Sequence, residues 1–181
     1  MRKYQFSINC KIINKPYKPT ASGWKNAEMT ADELVAHVKS GFAFSPGVML
    51  QEQSKKPSTK DIAFAELLVV DVDNDIVVDG QKRRKNPEEG YTEFDEIKSD
   101  AWLKQNLLFA YTTPSHTLQH HKFRLVFTLP KPISNPNEYK TVARAFITHF
   151  GGDLSCSNID RMFYGNTDAE IFAPNQELNE N

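Results

Sequence analysis

Two aspartates at the end of an apolar segment are the residues of this chain best suited to chemistry. Asp71 and Asp73 follow the apolar segment 67–70 and are separated by Val72. On a strand, residues two apart project from one face, so both carboxylates leave the same surface. Oxygen ligands suit Mg²⁺ or Mn²⁺, and two such ions ~4 Å apart can act on a displacement at phosphorus. An aspartate-rich turn at a strand end is the alternative interpretation.

A second polar group lies between Tyr111 and Phe127 and combines hydroxyl, imidazole and cationic side chains. Triphosphate oxygens are bound by fixed cations and hydroxyl donors, which makes this group a candidate nucleotide site. The candidates are Ser115, His116, Lys122 and Arg124. A loop with a solvated histidine cluster is the alternative, and the histidines lack the spacing of a zinc site.

A third group begins with Asp153, which directly follows Gly151-Gly152, and continues with Arg161 eight residues later. A turn aspartate and an arginine with a structural partner are the alternatives here. A basic segment also follows the paired aspartates, and it could bind template phosphates or form a solvated loop. Its residues are Lys82, Arg83, Arg84 and Lys85.

Composition predicts one soluble domain, which we place at residues 1–173 with a polar tail at 174–181. The chain has 181 residues and a formal net charge of −1, so any nucleic-acid surface must be local. Its two cysteines, Cys10 and Cys156, lie in no zinc-type cluster. No apolar stretch approaches the ~20 residues that span a bilayer, so we expect a cytoplasmic protein without a membrane partner.

Periodicity predicts a mixed α/β or α+β fold in which three helices pack on one mixed sheet. A unit of two strands and a helix recurs in the second half, as in a split βαβ, ferredoxin-like core. Loops are expected at 14–25 and 74–91. A capping box at Thr30 should start one helix and Asn135 another, and Thr92 should cap a third at 93–105 with Trp102 inward. Strands are expected at 3–13, 42–44, 67–73, 107–112, 123–129 and 162–164.

In this order, the three groups resemble the motifs of the archaeo-eukaryotic primase (AEP) superfamily, especially primase–polymerases of phages, plasmids and CRISPR-associated operons. The segment 68–73 resembles the family's hhhDhD strand, Asp153 its third aspartate, and 161–163 its R-x-F motif. The resemblance covers residues 35–166. The family's S-x-H motif is not matched, because Ser115 and His116 are adjacent, and Arg124 is the alternative for the histidine's place.

The resemblance implies an N-terminal α/β lobe and a C-terminal RRM-like lobe, with the metals between them. It implies template-directed nucleotidyl transfer during replication of a phage, plasmid or other mobile element. Asp71, Asp73 and Asp153 would hold two Mg²⁺ or Mn²⁺ ions, while the second group and Arg161 would bind the nucleotide. The implied partners are single-stranded DNA, NTP or dNTP, and a helicase domain or protein.

The same aspartates leave two other functions open. One is a metal-dependent nuclease, which has less need of arginines that bind a triphosphate. The other is a non-catalytic, DNA-binding replication-initiator module, which would tolerate the loss of metal.

Overall fold

The computed structural model describes residues 1–16, 22–52 and 55–174. The polar tail predicted at 174–181 lies outside these residues apart from Pro174. The described helices are α1 (Ala31–Lys39), α2 (Phe94–Ser99), α3 (Ala101–Asn106) and α4 (Pro136–His149). The described strands are β1 (Lys3–Ile13), β2 (Lys25–Thr30), β3 (Phe42–Ser45), β4 (Gly47–Met49), β5 (Ile62–Val72), β6 (Asp75–Val78), β7 (Gln81–Arg84), β8 (Leu107–Thr112), β9 (Phe123–Ile133) and β10 (Ile171–Phe172).

The strands form three sheets, so the chain has a mixed α+β fold. The largest has the order β10-β8-β9-β5-β4, the second the order β2-β1-β3, and β6 and β7 make a separate hairpin. Every pairing between these strands is antiparallel, where the sequence led us to expect one mixed sheet. No helix in the described part of the chain is long and apolar enough to cross a membrane.

Strand β5 is buried on both faces, as its continuous apolar sequence predicted. Leu68, Val70 and Val72 belong to one core, which also contains Tyr139, Ala143 and Ile147 of α4. Leu67 and Val69 belong to a second core on the opposite face, packed with residues of β1, β8 and α1. Since side chains alternate along a strand, Asp71 shares the face of Leu67 and Val69 and continues the second core to its edge.

The predicted helix starts at Thr30 and Asn135 are confirmed. Thr30 forms a complete capping box with Glu33 at the start of α1. The Asn135 side chain accepts hydrogen bonds from two backbone N–H groups of α4, with Pro136 as the first helical residue. Strand β8 also has the predicted bounds of residues 107–112.

The helix predicted at 93–105 is divided into α2 and α3. The break is at Asp100, whose side chain accepts a hydrogen bond from the Leu103 N–H and thereby caps α3. The residue before α2 is Glu93 rather than Thr92. Trp102 is 48% exposed instead of inward, and its ring lies beside those of Phe127, Phe146 and Phe150.

Other errors concern strand assignment. The segment predicted as a strand at 162–164 makes an isolated bridge between Phe163 and Phe44, and the last strand among the described residues is β10. The stretch 74–91, predicted as loop, contains the β6–β7 hairpin. Its turn residues Asp79 and Gly80 both have positive φ, and an Asp-Gly pair is a strong hairpin signal that could have located it.

Candidate active site

Asp71 lies at the end of β5 in a row of side chains that crosses three strands. It is opposite Arg124 of β9, which is in turn opposite Tyr111 of β8. Asp71 is only 7% exposed, and its Oδ1 accepts a hydrogen bond from Arg124 Nε at 2.9 Å. Arg124 Nη1 donates to the Tyr111 hydroxyl at 3.0 Å and to the Tyr164 carbonyl at 2.6 Å. The Tyr111 hydroxyl donates to the same carbonyl at 3.1 Å, which closes the network.

This network sets the charge states of Arg124 and Tyr111. Burial alone would lower the pKa of Arg124, but the neighbouring Asp71 and Tyr111 raise it above its ordinary value. Burial also raises the pKa of Tyr111, so its phenol stays neutral. A charged guanidinium is therefore held against a carboxylate inside the protein. This geometry favours positioning of Asp71 by Arg124 over the triphosphate contact expected from the sequence.

Asp73 lies one residue beyond β5 in a more open position. Its side chain is 29% exposed, and its Oδ2 is 3.3 Å from Lys82 Nζ, an atom that is also 2.9 Å from Asp75. Asp75 itself binds Lys122 Nζ at 2.7 Å and faces His120 Nε2 at 3.1 Å. Although burial raises the pKa of Asp75, hydrogen bonds from Lys122 and Lys82 bring it below its ordinary value. Asp75 thus holds two lysines beside Asp73, a role that the sequence motif did not suggest.

Asp153 is held against β5 by the glycine that precedes it. A Cβ at Gly152 would lie 2.8 Å from the Asp71 carbonyl oxygen and 2.9 Å from Val70 Cγ1, so only glycine fits this close approach. The Asp153 N–H then donates to the Asp71 carbonyl at 2.8 Å. A backbone hydrogen bond therefore joins the first and third predicted motifs.

The Asp153 carboxylate is oriented by its own loop. It accepts hydrogen bonds from the Ser155 N–H and hydroxyl, each at 2.8 Å, and so caps the 3₁₀ turn Leu154–Cys156. Burial raises the pKa of Asp153, but these two bonds lower it below its ordinary value, and the charges of Arg161 and Lys82 act in the same direction. Asp153 is therefore ionised at neutral pH, and Arg161 is an exposed cation within its electrostatic reach.

Cys156 lies between two of the predicted carboxylates. Its Sγ is 3.5 Å from Asp71 Oδ2 and 3.8 Å from Asp153 Oδ2. Burial, followed by the charge of Asp71, raises the pKa of this thiol to about 12, so it remains protonated and donates. Nothing in the sequence singled out Cys156, because its role arises only from the fold.

Asp73, Asp153 and Lys82 line one pocket of about 350 Å³. Its other lining residues include Asn74, Val77, Gly151 and Leu154. The carboxylate donors have the right chemistry for Mg²⁺ or Mn²⁺. However, no three His, Cys, Asp or Glu side chains of the described chain are grouped as a metal site. As arranged, Asp71 is paired with Arg124 and Asp73 with Lys82, so an ion bound at Asp73 must displace Lys82.

The remaining candidates of the second group lie outside this pocket. Lys122 binds Asp75 and is largely buried. Ser115 is exposed on the loop between β8 and β9, and His116 accepts a hydrogen bond from the Lys122 N–H at Nδ1, 3.1 Å away. Neither Ser115 nor His116 is among the described residues that line the pocket.

The four residues of the basic segment 82–85 make different contacts. Arg83 makes a bidentate ion pair with Glu89, at 2.7 and 2.6 Å. Arg84 lies over the Tyr91 ring, 4.4 Å from its centre, and Lys85 donates to the Gly151 carbonyl at 2.9 Å. Lys82 is the member of this segment that faces the pocket.

Comparisons with known proteins identify a similar fold. No protein-family model matches this sequence, and no curated protein matches it. One solved structure, the AEP domain of the cyanophage S-2L primase–polymerase (PrimPol), matches with a TM-score of 0.50 and 12% sequence identity. The match covers 94% of this chain and 81% of that domain. At this identity the similarity concerns the fold, so the chain has a mixed α+β fold similar to that of an AEP domain.

Proposed function

We propose that this chain is the catalytic domain of a primase–polymerase, a nucleotidyltransferase that joins nucleotides on a single-stranded DNA template. One observation carries the proposal: Asp153 is hydrogen-bonded to the strand that presents Asp71 and Asp73. Asp73 and Asp153 line one pocket, Asp71 is joined to Asp153 through its backbone carbonyl, and the surrounding fold is similar to that of an AEP domain. The two-lobe architecture remains part of the proposal, as do the helicase partner and the replication of a mobile element.

Asp71, Asp73 and Asp153 would hold Mg²⁺ or Mn²⁺, which when bound would stabilise charge on the phosphoryl oxygens. The chain's own residues prepare this site. Arg124 and the Cys156 thiol orient the Asp71 carboxylate. Ser155 orients Asp153 through its N–H and hydroxyl.

Cations around the pocket suit a triphosphate. Lys82 and Arg161 are exposed and lie within electrostatic reach of Asp153, so their charges can neutralise phosphate oxygens brought to the carboxylates. Lys122 supports this cluster through Asp75. Ser115 and His116 would approach the nucleotide from the loop between β8 and β9. Arg83, Arg84 and Lys85 would act on template phosphates.

A primer-synthesis assay tests the proposal. The protein is incubated with a single-stranded DNA template, labelled NTP or dNTP, and Mg²⁺ or Mn²⁺. Wild-type protein should extend or create primers, and Asp73→Asn or Asp153→Asn should abolish incorporation. Asp32→Asn, an exposed aspartate of α1, is the matched control and should be active. Degradation of the template would instead support the nuclease, and metal-independent DNA binding without incorporation the initiator module.

Arg161 separates a polymerase from these alternatives. If it contacts the triphosphate, Arg161→Ala should raise the KM for nucleotide by roughly tenfold or more, because a charge-assisted hydrogen bond is lost. Template affinity should change little, since that contact is spread over many phosphates. Weakened template binding with unchanged nucleotide affinity would contradict the triphosphate role of Arg161.

A further inference from the structure

The β6–β7 hairpin presents one face to the pocket. Val77 and Lys82 are direct cross-strand partners, and Val78 is paired with Gln81. Because side chains alternate along a strand, Val77 and Lys82 share one face of the hairpin, and Val78 lies on the other. Val77 and Lys82 line the pocket, whereas Val78 does not.

The pocket also carries exposed apolar surface. Val77 is 66% exposed and Leu154 is 43% exposed, and both line the pocket that contains Asp73 and Asp153. They come from separate elements, the hairpin and the 3₁₀ turn after α4. Small-molecule sites combine apolar walls with a few charged groups in volumes of ~300–1,000 Å³, which fits this pocket. With a metal ion held by the carboxylates, the pocket would suit a ligand that combines an anionic end, near Lys82, with an apolar body against Val77 and Leu154.

We propose that Val77 and Leu154 form the surface on which the base of the incoming nucleotide packs while its phosphates lie at Lys82. This inference rests on the proposed function and adds where the nucleoside is held. It also bears on which of the four bases the pocket accepts. The Asn74 amide, the uncharged polar side chain among the described residues that line the pocket, donates to the Thr92 and His121 carbonyls and accepts from the Thr92 N–H. The contact therefore does not discriminate among bases, and the choice of base falls to the template.

Binding measurements on wild-type protein and two variants test this. The probes are each of the four dNTPs and inorganic tripolyphosphate, titrated calorimetrically with Mn²⁺. Val77→Ala/Leu154→Ala should weaken binding of all four dNTPs roughly tenfold, because loss of a few buried methyl groups suffices for that change. Binding of tripolyphosphate should be unchanged. Val78→Ala is the matched control, since it shortens an exposed valine on the opposite face, and it should bind every probe as wild type does.

Three outcomes would overturn the inference. Equal dNTP affinity in wild type and the double variant would show that the two side chains do not contact the nucleoside. Selective weakening for one base would contradict base-independent packing. Weakened tripolyphosphate binding would place the effect at the phosphates. Failure of wild-type protein to bind any probe would overturn the proposed function itself, a result distinct from the other three.

Discussion

The two aspartates of the β5 motif are separated by a single residue yet lie in different surroundings. Asp71 is buried in a closed network with Arg124, Tyr111 and the Cys156 thiol. Asp73 is partly exposed and is held by Lys82, whose long side chain is itself mostly in solvent. The difference indicates a division of roles within one motif. The buried hydrogen bonds of Asp71 anchor the site in the core, and Asp73 is free to exchange Lys82 for a ligand.

The energetics of the two ion pairs should differ accordingly. Breaking a buried pair leaves an uncompensated charge in a medium that solvates it poorly, at a cost of ~3–5 kcal/mol. An exposed lysine–carboxylate pair contributes ~0–1 kcal/mol. Variants that remove one partner of each pair test this difference directly. Their free energies of unfolding distinguish a buried pair from an exposed one without any knowledge of the substrate.

The largest effect is expected at Arg124. Arg124→Met should lower the free energy of unfolding by ~3–5 kcal/mol, because Asp71 is left buried without its cation. Urea denaturation followed by circular dichroism measures this loss. The double variant Asp71→Val/Arg124→Met should be more stable than the single variant, since no unpaired charge remains. A single-variant loss below about 1 kcal/mol would show that Asp71 is solvated and would remove the contrast with Asp73.

An intermediate effect is expected at Gly152, which joins the two regions. Gly152→Ala should lower stability by ~1–3 kcal/mol, because the new Cβ meets the Asp71 carbonyl and Val70 and the backbone must shift. Asp153 would move with it, so incorporation should fall as well. Gly151→Asn is the matched neighbour: its φ of 66° suits asparagine, and a Cβ there would lie 3.4 Å from Lys85 Nζ, the end of a flexible side chain, and 3.9 Å from the Gly90 carbonyl oxygen. Equal losses in both variants would contradict the close packing of Gly152.

Elements with strong local patterns were predictable from the sequence. Strand β5 has a continuous apolar segment, and α4 combines an Asn135 cap with apolar residues at helical spacing. Strand β6 is a four-residue, mostly apolar segment and β7 is exposed and charged, so neither shows a hydrophobic alternation that would mark a strand. The division at Asp100 depends on one side-chain cap that competes with a continuous helix.

The sequence allowed the carboxylates and cations of the candidate site to be predicted, but not which carboxylate pairs with which cation. The sequence alone suggests that loss of Asp71 relieves repulsion between carboxylates and leaves the fold intact. The structure places Arg124 against Asp71, so Asp71→Ala should instead lower stability. Asp75 and Cys156 gain their roles from side chains 47 and 85 residues away in sequence, which no local pattern encodes.

The smallest effect on stability is expected at Lys82, whose loss should instead change the binding of Mn²⁺ and of nucleotide. Lys82→Ala should change the free energy of unfolding by less than about 1 kcal/mol, because the side chain is 57% exposed. Without nucleotide, loss of the lysine frees Asp73 from a competing cation, so Mn²⁺ should bind a few-fold more tightly. With Mn²⁺ present, dNTP should bind roughly tenfold more weakly, because one charge-assisted contact to phosphate is lost.

Calorimetric titrations of Mn²⁺ and of dNTP measure the two changes, and Arg83→Ala, which removes the neighbouring cation paired with Glu89, should alter neither. A parallel loss of both affinities would show that Lys82 supports Asp73 instead of competing for it, and Asp73 would then be as fixed as Asp71.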